Sequence, residues 1–371
     1  MIERRIARHF DFALLLLAAA LVAYGSLLLY SASQNAYPEG ISGLSHPVAK
    51  QAMFAMFGLL AMGLIAFMDY RAFGQMAPLL YGISILILVA VLVFGESAFG
   101  SRRWITFAGT QIQASEVAKL LTIVTLARYL ADRQREIVQV RVFLSSLLLA
   151  AIPAGLVMIE PDMGTAIIFG AIWVGMVLMA GARPRHLLIL CGFLLSSIPF
   201  VTLTLLGDYQ RDRLVLFFNP NSDPLGGGFN ILQAEISVGS GGIFGKGLTE
   251  GSQTQLDFLQ TPTTDYIFSV LGEELGLIGA VVLLALFTAL LFRTLRVASL
   301  ARDQFGRLLA TGIAIMILFQ VFINIAVNIR LLPVTGIPLP FISQGGSSLI
   351  MLFAAMGLLQ SILLRHRQLE F

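Results

Sequence analysis

Charged residues are scarce in this chain of 371 residues: 12% are Asp, Glu, Lys or Arg, whereas 57% are hydrophobic. Soluble globular chains carry about 25% charged residues. Half that fraction excludes an ordinary soluble domain and indicates a membrane protein. The apolar runs are long and uniform, whereas the strands of a transmembrane barrel alternate over about ten residues. The sequence therefore predicts an all-α polytopic membrane protein.

Cysteine and histidine are also nearly lacking. The one cysteine, Cys191, excludes an intramolecular disulfide, and the four histidines are too dispersed for a Cys/His metal cluster. No histidine is placed as an evident base. Any acid–base chemistry in this chain is therefore expected to use carboxylates.

Apolar windows long enough to cross a membrane make up most of the sequence. A hydrocarbon core about 30 Å thick needs about 20 apolar residues per helix. The first window follows a charged start like that of a signal peptide, but it exceeds the roughly 7–15 residues of a signal core and is expected to be retained. We predict ten transmembrane helices, near 12–31, 49–68, 77–95, 114–131, 142–159, 163–181, 187–206, 265–292, 308–328 and 346–364.

Arginine and lysine divide unequally between the two sides of this topology. With the N-terminus in the cytoplasm, 16 arginines fall on the cytoplasmic side and only seven cations fall in the outer loops. The positive-inside rule therefore predicts that both termini are cytoplasmic, in agreement with an even number of spans. The net charge of +3 follows from this topology and gives no reason to expect nucleic acid as a partner.

Two outer segments are predicted to be more than connectors. Residues 207–264 form a large loop between the seventh and eighth spans, and loops of this length are usually functional. Within it, 229–239 is predicted to form a surface helix rather than a flexible link, because four apolar residues share one face: Phe229, Ile231, Leu232 and Ile236. Residues 330–348 contain three prolines and three glycines in apolar surroundings, which predicts a re-entrant segment packed in protein. We treat 1–371 as one integral membrane domain.

Ionisable residues within spans cost about 2.5–3.5 kcal/mol each on insertion scales, so each is a functional candidate. Glu116 and Lys119 lie three residues apart on one helical face and can pair. Such a pair either locks the fourth span against a neighbour or serves a site. Glu160 and Asp162 occupy a tight outer turn and are expected to face the outer surface, although Asp162 is also placed to cap the next helix.

A third group of acids lies at the start of the eighth span. Thr264 and Asp265 occupy positions like those of an N-cap, where the helix dipole favours a carboxylate. Capping alone is thus one explanation of Asp265. Glu273 and Glu274 lie about two turns deeper and are expected to pair or hydrogen-bond within the bundle.

Cations in the outer loops run against the positive-inside trend. Any one of them can be explained by ordinary solvation of a loop. Together they are what a pyrophosphate-bearing ligand at the outer leaflet requires. The candidates are Arg102, Arg103, Arg211, Arg213 and Lys246.

Six motifs, in order, closely resemble the SEDS family (shape, elongation, division and sporulation proteins), whose members include RodA and FtsW. They are "RRWI", "SEVAKL", "EPDMGTA", "NPNSDPLGGGFNILQAEISVGSGGIFGKGL", "TDYIFSVLGEELG" and "LLPVTGIPLPFISQGGSS". The resemblance covers nearly the whole chain. It implies a peptidoglycan glycosyltransferase that polymerises lipid II at the outer face of the bacterial cytoplasmic (inner) membrane, for cell elongation and shape. The stretch "GSQTQLDFL" resembles RodA more than FtsW, and an FtsW-like division polymerase is the nearest alternative.

Carried over by residue, the resemblance implies that Asp265 is the essential general base and that Glu116 and Lys119 support it. The substrate and its pyrophosphate are assigned to the outer cations above with Glu160, Asp162, Ser343 and Gln344. Three residues depart from the usual Pro, Glu and His of the family's motif before the aspartate: Gln260, Thr261 and Thr263. Gln344 also stands where the family usually has Tyr. These departures leave Asp265 as the only titratable group of its motif.

The resemblance also implies the partners. They are a class B penicillin-binding protein, which is a transpeptidase, together with lipid II and the lipid-linked glycan strand. A divalent cation, Mg or Mn, can offset the pyrophosphate charge, and no organic cofactor is expected. A lipid II flippase and a noncatalytic scaffold are rival functions. A flippase needs polar groups through the full depth of the membrane, whereas the candidates here cluster at the outer end.

Overall fold

The computed structural model describes residues 10–37, 40–41, 43, 45–98, 101–107, 110–204, 207–223 and 226–366. These residues form mainly helices, which we number along the chain. The helices are α1 Phe12–Ala32, α2 Pro47–Phe67, α3 Tyr70–Gln75, α4 Ala77–Phe94, α5 Ala114–Asp132, α6 Val140–Ile159, α7 Met163–Met179, α8 Pro184–Thr204, α9 Asp208–Phe218, α10 Gly227–Ser240, α11 Ser252–Gln255, α12 Ile267–Leu300, α13 Gln304–Asn328 and α14 Gly346–Leu364.

Seven helices in the described part of the chain are long and apolar enough to cross a membrane: α1, α2, α4, α6, α12, α13 and α14. α7 is apolar but shorter, with 17 residues. The predicted spans near 114–131 and 187–206 fall on two further helices outside this set, α5 and α8, although residues 205–206 lie outside the described part of the structure. α5 carries Glu116, Lys119, Arg128 and Asp132, which lower its apolar content. The prediction of a polytopic helical membrane protein is confirmed, and the count of ten spans stays a prediction.

One small sheet departs from the all-α prediction within the described ranges. Strands β1 Glu96–Ala98, β2 Ser101–Phe107 and β3 Thr110–Gln113 pair antiparallel in the order β1-β2-β3. In its register, Trp104 lies opposite Gln113. The strands have only three, seven and four residues, too short for an alternating pattern to stand out in the sequence.

α13 and α14 form the interior of the helical bundle. Their apolar windows are 72% and 89% buried, whereas those of the other candidate spans are 22–33% buried. α14 packs against α2, and α13 packs against α12, α7 and α5. The helices at the periphery of the bundle leave apolar side chains exposed, and these side chains are therefore available to contact lipid.

The described part of the loop at 207–264 contains the α-helices α9, α10 and α11 and a short 3-10 helix, Pro220–Ser222. α10 packs against the start of α12. Its buried residues are Gly228, Ile231, Ala234 and Ser237. Ile236 is 47% exposed, so the predicted apolar face is wrong at this residue. Small side chains form the contact instead, because they let the two helices approach closely.

Residues 331–345 form no helix, and α14 starts at Gly346. Ile337, Leu339, Phe341 and Ile342 of this segment are buried. The segment passes so close to α1 that a Cβ atom on Gly25 would lie 2.6 Å from the Cα of Ile342. Only glycine permits this approach, which seats the segment against the bundle.

Candidate functional site

Asp265 lies in the turn that leads from the outer loop into α12. α12 begins at Ile267 and its N-cap residue is Tyr266, so the predicted N-cap positions of Thr264 and Asp265 are wrong. The N–H group of Ser269, in the first helical turn, donates to Oδ1 of Asn328 at 3.0 Å. An acceptor from α13 therefore serves a donor that an N-cap aspartate would otherwise satisfy.

The backbone just before Asp265 is bonded to the segment 331–345. The hydroxyl of Ser343 donates to the carbonyl oxygen of Thr264 at 2.7 Å, and the N–H group of Gln344 donates to the carbonyl of Thr263 at 2.9 Å. Ser343 Oγ also accepts from the N–H group of Leu339 at 2.9 Å. The structure thus brings Ser343 and Gln344 to the Asp265 motif, where both support its backbone.

Arg213 of α9 reaches the same turn. Its guanidinium donates to the carbonyl oxygen of Val334 at 2.8 Å. Val334 in turn packs against the apolar cluster that contains Tyr266 and Val270. Arg213 is therefore held against the segment that packs beside the first turn of α12.

A crevice opens beside Arg213, between α7, α9 and the segment 331–345. Its wall is mainly apolar, with Pro161, Met163, Ile167, Gln210, Leu214, Pro333, Val334 and Thr335. Arg211, two residues before Arg213 on α9, is exposed. Among the predicted outer cations whose side chains the structure describes, Arg213 lines this crevice, against the segment that bonds to the backbone before Asp265.

Glu273 is tolerated in an apolar helix because its carboxylate is fully surrounded by donors. Nζ of Lys246 lies 2.7 Å from Oε1 of Glu273, whose side chain is 0% exposed. The N–H groups of Gln253 and Thr254 donate to the same carboxylate at 2.9 and 3.1 Å, and the hydroxyl of Thr254 donates at 3.1 Å. The sequence predicts that Glu273 pairs or hydrogen-bonds within the helical bundle. Its partners Lys246, Gln253 and Thr254 instead belong to the outer loop.

Glu274 bonds in a different direction, towards α1. The hydroxyl of Ser31 donates to its Oε1 at 2.6 Å. Just beyond, α12 breaks at Gly276, whose φ of 61° and ψ of −156° lie outside helical geometry. The N–H group of Leu277 after the break donates to the carbonyl of Gly242 at 2.9 Å. The outer loop thus packs against a break in α12, and positive φ makes glycine the suitable residue there.

Lys246→Met is expected to destabilise the protein by about 2–3 kcal/mol, because the buried Glu273 carboxylate loses a charged partner. Glu273→Gln should cost less, since no charge is left buried without a counter-charge and the single amide oxygen still accepts from one of the two sides, Gln253 or Thr254. Thermal unfolding of each variant checks the order. If Lys246 also contacts the pyrophosphate, Lys246→Met will lower activity further in a Glu273→Gln background. If its role is only the ion pair, activity in that background will not change.

Glu116 and Lys119 form the predicted ion pair inside the protein. Lys119 Nζ lies 2.7 Å from Glu116 Oε1, and the two side chains are 0% and 4% exposed. Their helix, α5, packs against α13, α14 and α7. The action of this pair on Asp265 stays a prediction.

Glu160 and Asp162 do not face the outer surface, and that expectation is wrong. Each is 1% exposed. Asp162 is the N-cap residue of α7 and accepts from the N–H group and the hydroxyl of Thr165 at 3.1 and 2.9 Å. Gln113 donates to it at 3.3 Å. These donors hold the carboxylate inside, and the predicted capping by Asp162 is confirmed.

Arg102 and Arg103 belong to β2, and their side chains lie outside the described part of the structure. The described residues build no complete metal site by themselves, since no three His, Cys, Asp or Glu side chains come together as metal ligands. Mg²⁺ is commonly held by one or two carboxylates with phosphate and water oxygens. The divalent cation therefore stays a prediction.

The family model with the description "Cell cycle protein" (FtsW/RodA/SpoVE) matches residues 12–368. The chain belongs to this family. Peptidoglycan glycosyltransferase MrdB of Escherichia coli K12 is 37% identical over 369 residues, which cover 98% of this chain and 95% of MrdB. FtsW/RodA/SpoVE proteins named FtsW match as well, including one from Geobacter metallireducens at 39% identity over 97% of this chain and 96% of that protein.

A solved family structure has the same fold. It comes from work on the "structural coordination of polymerization and crosslinking by a peptidoglycan synthase complex" and matches with a TM-score of 0.81. Its sequence is 34% identical, and the match covers 97% of this chain and 99% of that one. The predicted SEDS membership and the peptidoglycan glycosyltransferase activity are confirmed.

Sequence reasoning missed several neutral residues around Asp265, above all Asn324 and Asn328. Their signal was present, since two amides four residues apart in an apolar span lie on one face and are costly to bury without partners. Ser31, which bonds to Glu274, and Thr254, which bonds to Glu273, have no comparable signal in the sequence. Single hydroxyl residues are common at helix ends and in loops.

Proposed function

We propose that this glycosyltransferase polymerises lipid II at the outer face of the bacterial cytoplasmic membrane, with Asp265 as general base. The observation that carries the proposal is the place of Asp265. It stands where a polar outer loop enters an apolar helix, in a turn whose backbone is bonded to α13 and to the segment 331–345. A carboxylate there can meet a polar headgroup while the lipid tail stays in the bilayer.

The proposed reaction joins two lipid-linked molecules. A sugar hydroxyl of the incoming lipid II attacks the anomeric carbon of the growing strand. The new C–O bond forms as the bond from that carbon to the pyrophosphate oxygen breaks, and undecaprenyl pyrophosphate leaves with the electron pair. Asp265 accepts the hydroxyl proton, for which it must come within about 2.6–3.2 Å of the oxygen.

The leaving pyrophosphate needs positive charge nearby. Arg213 is the candidate we favour, because it lines the crevice at the segment 331–345, and that segment bonds to the backbone just before Asp265. We assign Arg102, Arg103, Arg211 and Lys246 secondary roles in attracting the headgroup. A divalent cation would take ligands mainly from the pyrophosphate and would stabilise its developing charge.

The proposed topology follows the charge distribution. Ten spans, cytoplasmic termini and one integral domain over 1–371 place the loop 207–264 and the re-entrant segment 330–348 on the outer side. The buried pair of Glu116 and Lys119 then also lies in the outer half of its span. This arrangement gathers the ionisable groups where extracytoplasmic polymerisation requires them.

The proposed partner is a class B penicillin-binding protein whose transpeptidase cross-links the new strands. The similar chain in a peptidoglycan synthase complex supports this choice. We favour a role in elongation and cell shape on the RodA-like stretch after Lys246. Division polymerisation is the alternative.

Purified protein, combined with its candidate transpeptidase and lipid II, is expected to produce glycan strands. It should release one undecaprenyl pyrophosphate for each sugar linkage formed. Gel separation of the strands and chromatography of the lipid products measure both. Consumption of lipid II without strands, or strands that form equally well without this protein, would contradict the proposal.

A further inference from the structure

Two asparagines of α13 hold the backbone of Asp265 from inside the bundle. Nδ2 of Asn328 donates to the carbonyl oxygen of Asp265 at 2.9 Å, and Nδ2 of Asn324 approaches the same oxygen at 3.3 Å. Asn324 also donates to the carbonyl of Ile337 at 2.8 Å. The Asp265 backbone is therefore tied both to α13 and to the segment 331–345.

The orientation of Asn328 is fixed by its other contacts. Its Oδ1 accepts from the N–H group of Ser269 at 3.0 Å and from the Ser269 hydroxyl at 2.7 Å. A backbone N–H group can only donate and a carbonyl can only accept, so the amide cannot be reversed without losing both kinds of bond. One side chain thus bridges the first turn of α12 and the residue before its N-cap.

These amides are unusual companions for an apolar helix. Asn324 and Asn328 are 2% and 1% exposed, and an amide buried without partners is strongly unfavourable. Simple packing of α13 against α12 would be served better by apolar side chains. The amides instead supply donors to the carbonyl oxygen of Asp265, the residue just before the N-cap of α12.

We propose that Asn324 and Asn328 are positioning residues for glycosyl transfer. They fix the backbone of Asp265, so that its carboxylate is held at the place where the acceptor hydroxyl arrives. This inference rests on the proposed role of Asp265 as general base. It assigns the asparagines no contact with substrate.

The test compares kcat, KM for lipid II and the pH–rate profile of three variants with those of the wild type. Asn328→Leu keeps nearly the same volume but removes the hydrogen bonds. We expect kcat to fall about 100-fold, since a displacement of about 1 Å at a reacting group has this effect. KM should stay unchanged, because Asn328 does not touch the lipid.

Asn328→Asp is the second variant and separates positioning from general stability. The new carboxylate still accepts from Ser269 but adds a negative charge beside Asp265, in a turn that Tyr266 and Arg213 also face. A like charge disfavours ionisation of a neighbouring carboxyl. We therefore expect the acid limb of the profile to move to higher pH. A loss of folded protein would lower the whole profile without moving it.

Thr311→Val is the matched control. It removes a buried hydroxyl of the same helix, which donates to the carbonyl of Arg307 at 2.9 Å, and leaves every bond to Asp265 in place. Its kcat should stay within about twofold of wild type. If Thr311→Val loses as much activity as Asn328→Leu, general packing of α13 is the cause and the inference is overturned.

Two further outcomes separate this inference from the proposed function. If Asp265→Asn is inactive while the Asn328 variants keep wild-type kcat and profile, only the positioning role is wrong. If Asp265→Asn is active, the general base itself is wrong. Where Asn328→Leu cannot be purified folded, the acid limb of Asn328→Asp decides: a shift supports the inference and an unmoved limb overturns it.

Discussion

Asp265→Asn is expected to lower lipid II polymerisation by about 10²–10⁴-fold, the range of a lost general base. The amide has the same size as the carboxyl but cannot accept the proton of the attacking hydroxyl. The fold should survive, because the bonds from Asn324 and Asn328 reach the backbone carbonyl of residue 265 and not its side chain. Polymer yield per folded protein, together with thermal unfolding, measures both effects.

Asp257→Asn is the matched control for this substitution. Asp257 lies in the same outer loop, is exposed, and has a φ of 57° that Asn also adopts readily. Its activity should stay close to wild type. Polymerisation by Asp265→Asn at a near wild-type rate would contradict the general-base role and leave only a structural role for Asp265.

The second large effect is expected at the buried pair of α5. Lys119→Met should destabilise the protein by about 3–5 kcal/mol, because the Glu116 carboxylate then stays buried without its counter-charge. Glu116→Gln should also be costly. The double variant should be more stable than Lys119→Met alone, since no lone charge remains. Thermal or denaturant unfolding of the three proteins, with their polymerisation rates, measures the coupling.

The same helix carries an exposed pair that serves as the control. Arg128 and Asp132 lie 3.0 Å apart, with both side chains 44% exposed. Solvent screens such a pair, so Arg128→Met should cost no more than about 1 kcal/mol. Strictly additive losses at Glu116 and Lys119 would mean that the two residues act separately.

The parts of this structure that the sequence predicts are those with a local signal. Apolar length places the long helices, and the cost of burying charge directs attention to Asp265 and to the pair of Glu116 and Lys119. Three-residue spacing is enough to pair Glu116 with Lys119, because neighbours on a helix face are fixed by its geometry. The same local logic predicts the capping by Asp162.

The remainder depends on contacts between distant parts of the chain. Lys246 and Glu273 are 27 residues apart, and their ion pair exists because the outer loop packs against α12. The break at Gly276 has the same origin, since the loop backbone bonds to the helix there. No hydrophobic periodicity in the sequence predicts either the ion pair or the helix break. The bonds from Asn328 to Asp265 span 63 residues and likewise arise only once α13 packs against α12.

The charge distribution of the proposed topology favours polymerisation over transport. In that topology, the arginines at the cytoplasmic ends of the spans can extend their side chains to the interface. A pathway for a pyrophosphate headgroup would have to desolvate its charges across the inner half of the membrane, where comparable partners are lacking in the sequence. That would cost far more than the roughly 2.5–3.5 kcal/mol of one charged side chain.

The most direct test of the account is a leaflet assay with fluorescent lipid II in liposomes that contain the protein and its partner. Dithionite quenching reports the movement of lipid between leaflets, and gel separation reports polymer. We predict that lipid II in the outer-equivalent leaflet is polymerised, that Asp265→Asn polymerises it at least about 100-fold more slowly, and that neither protein speeds transbilayer movement. Rapid movement that persists in Asp265→Asn, with no polymer made by the wild type, would contradict the account and favour a flippase.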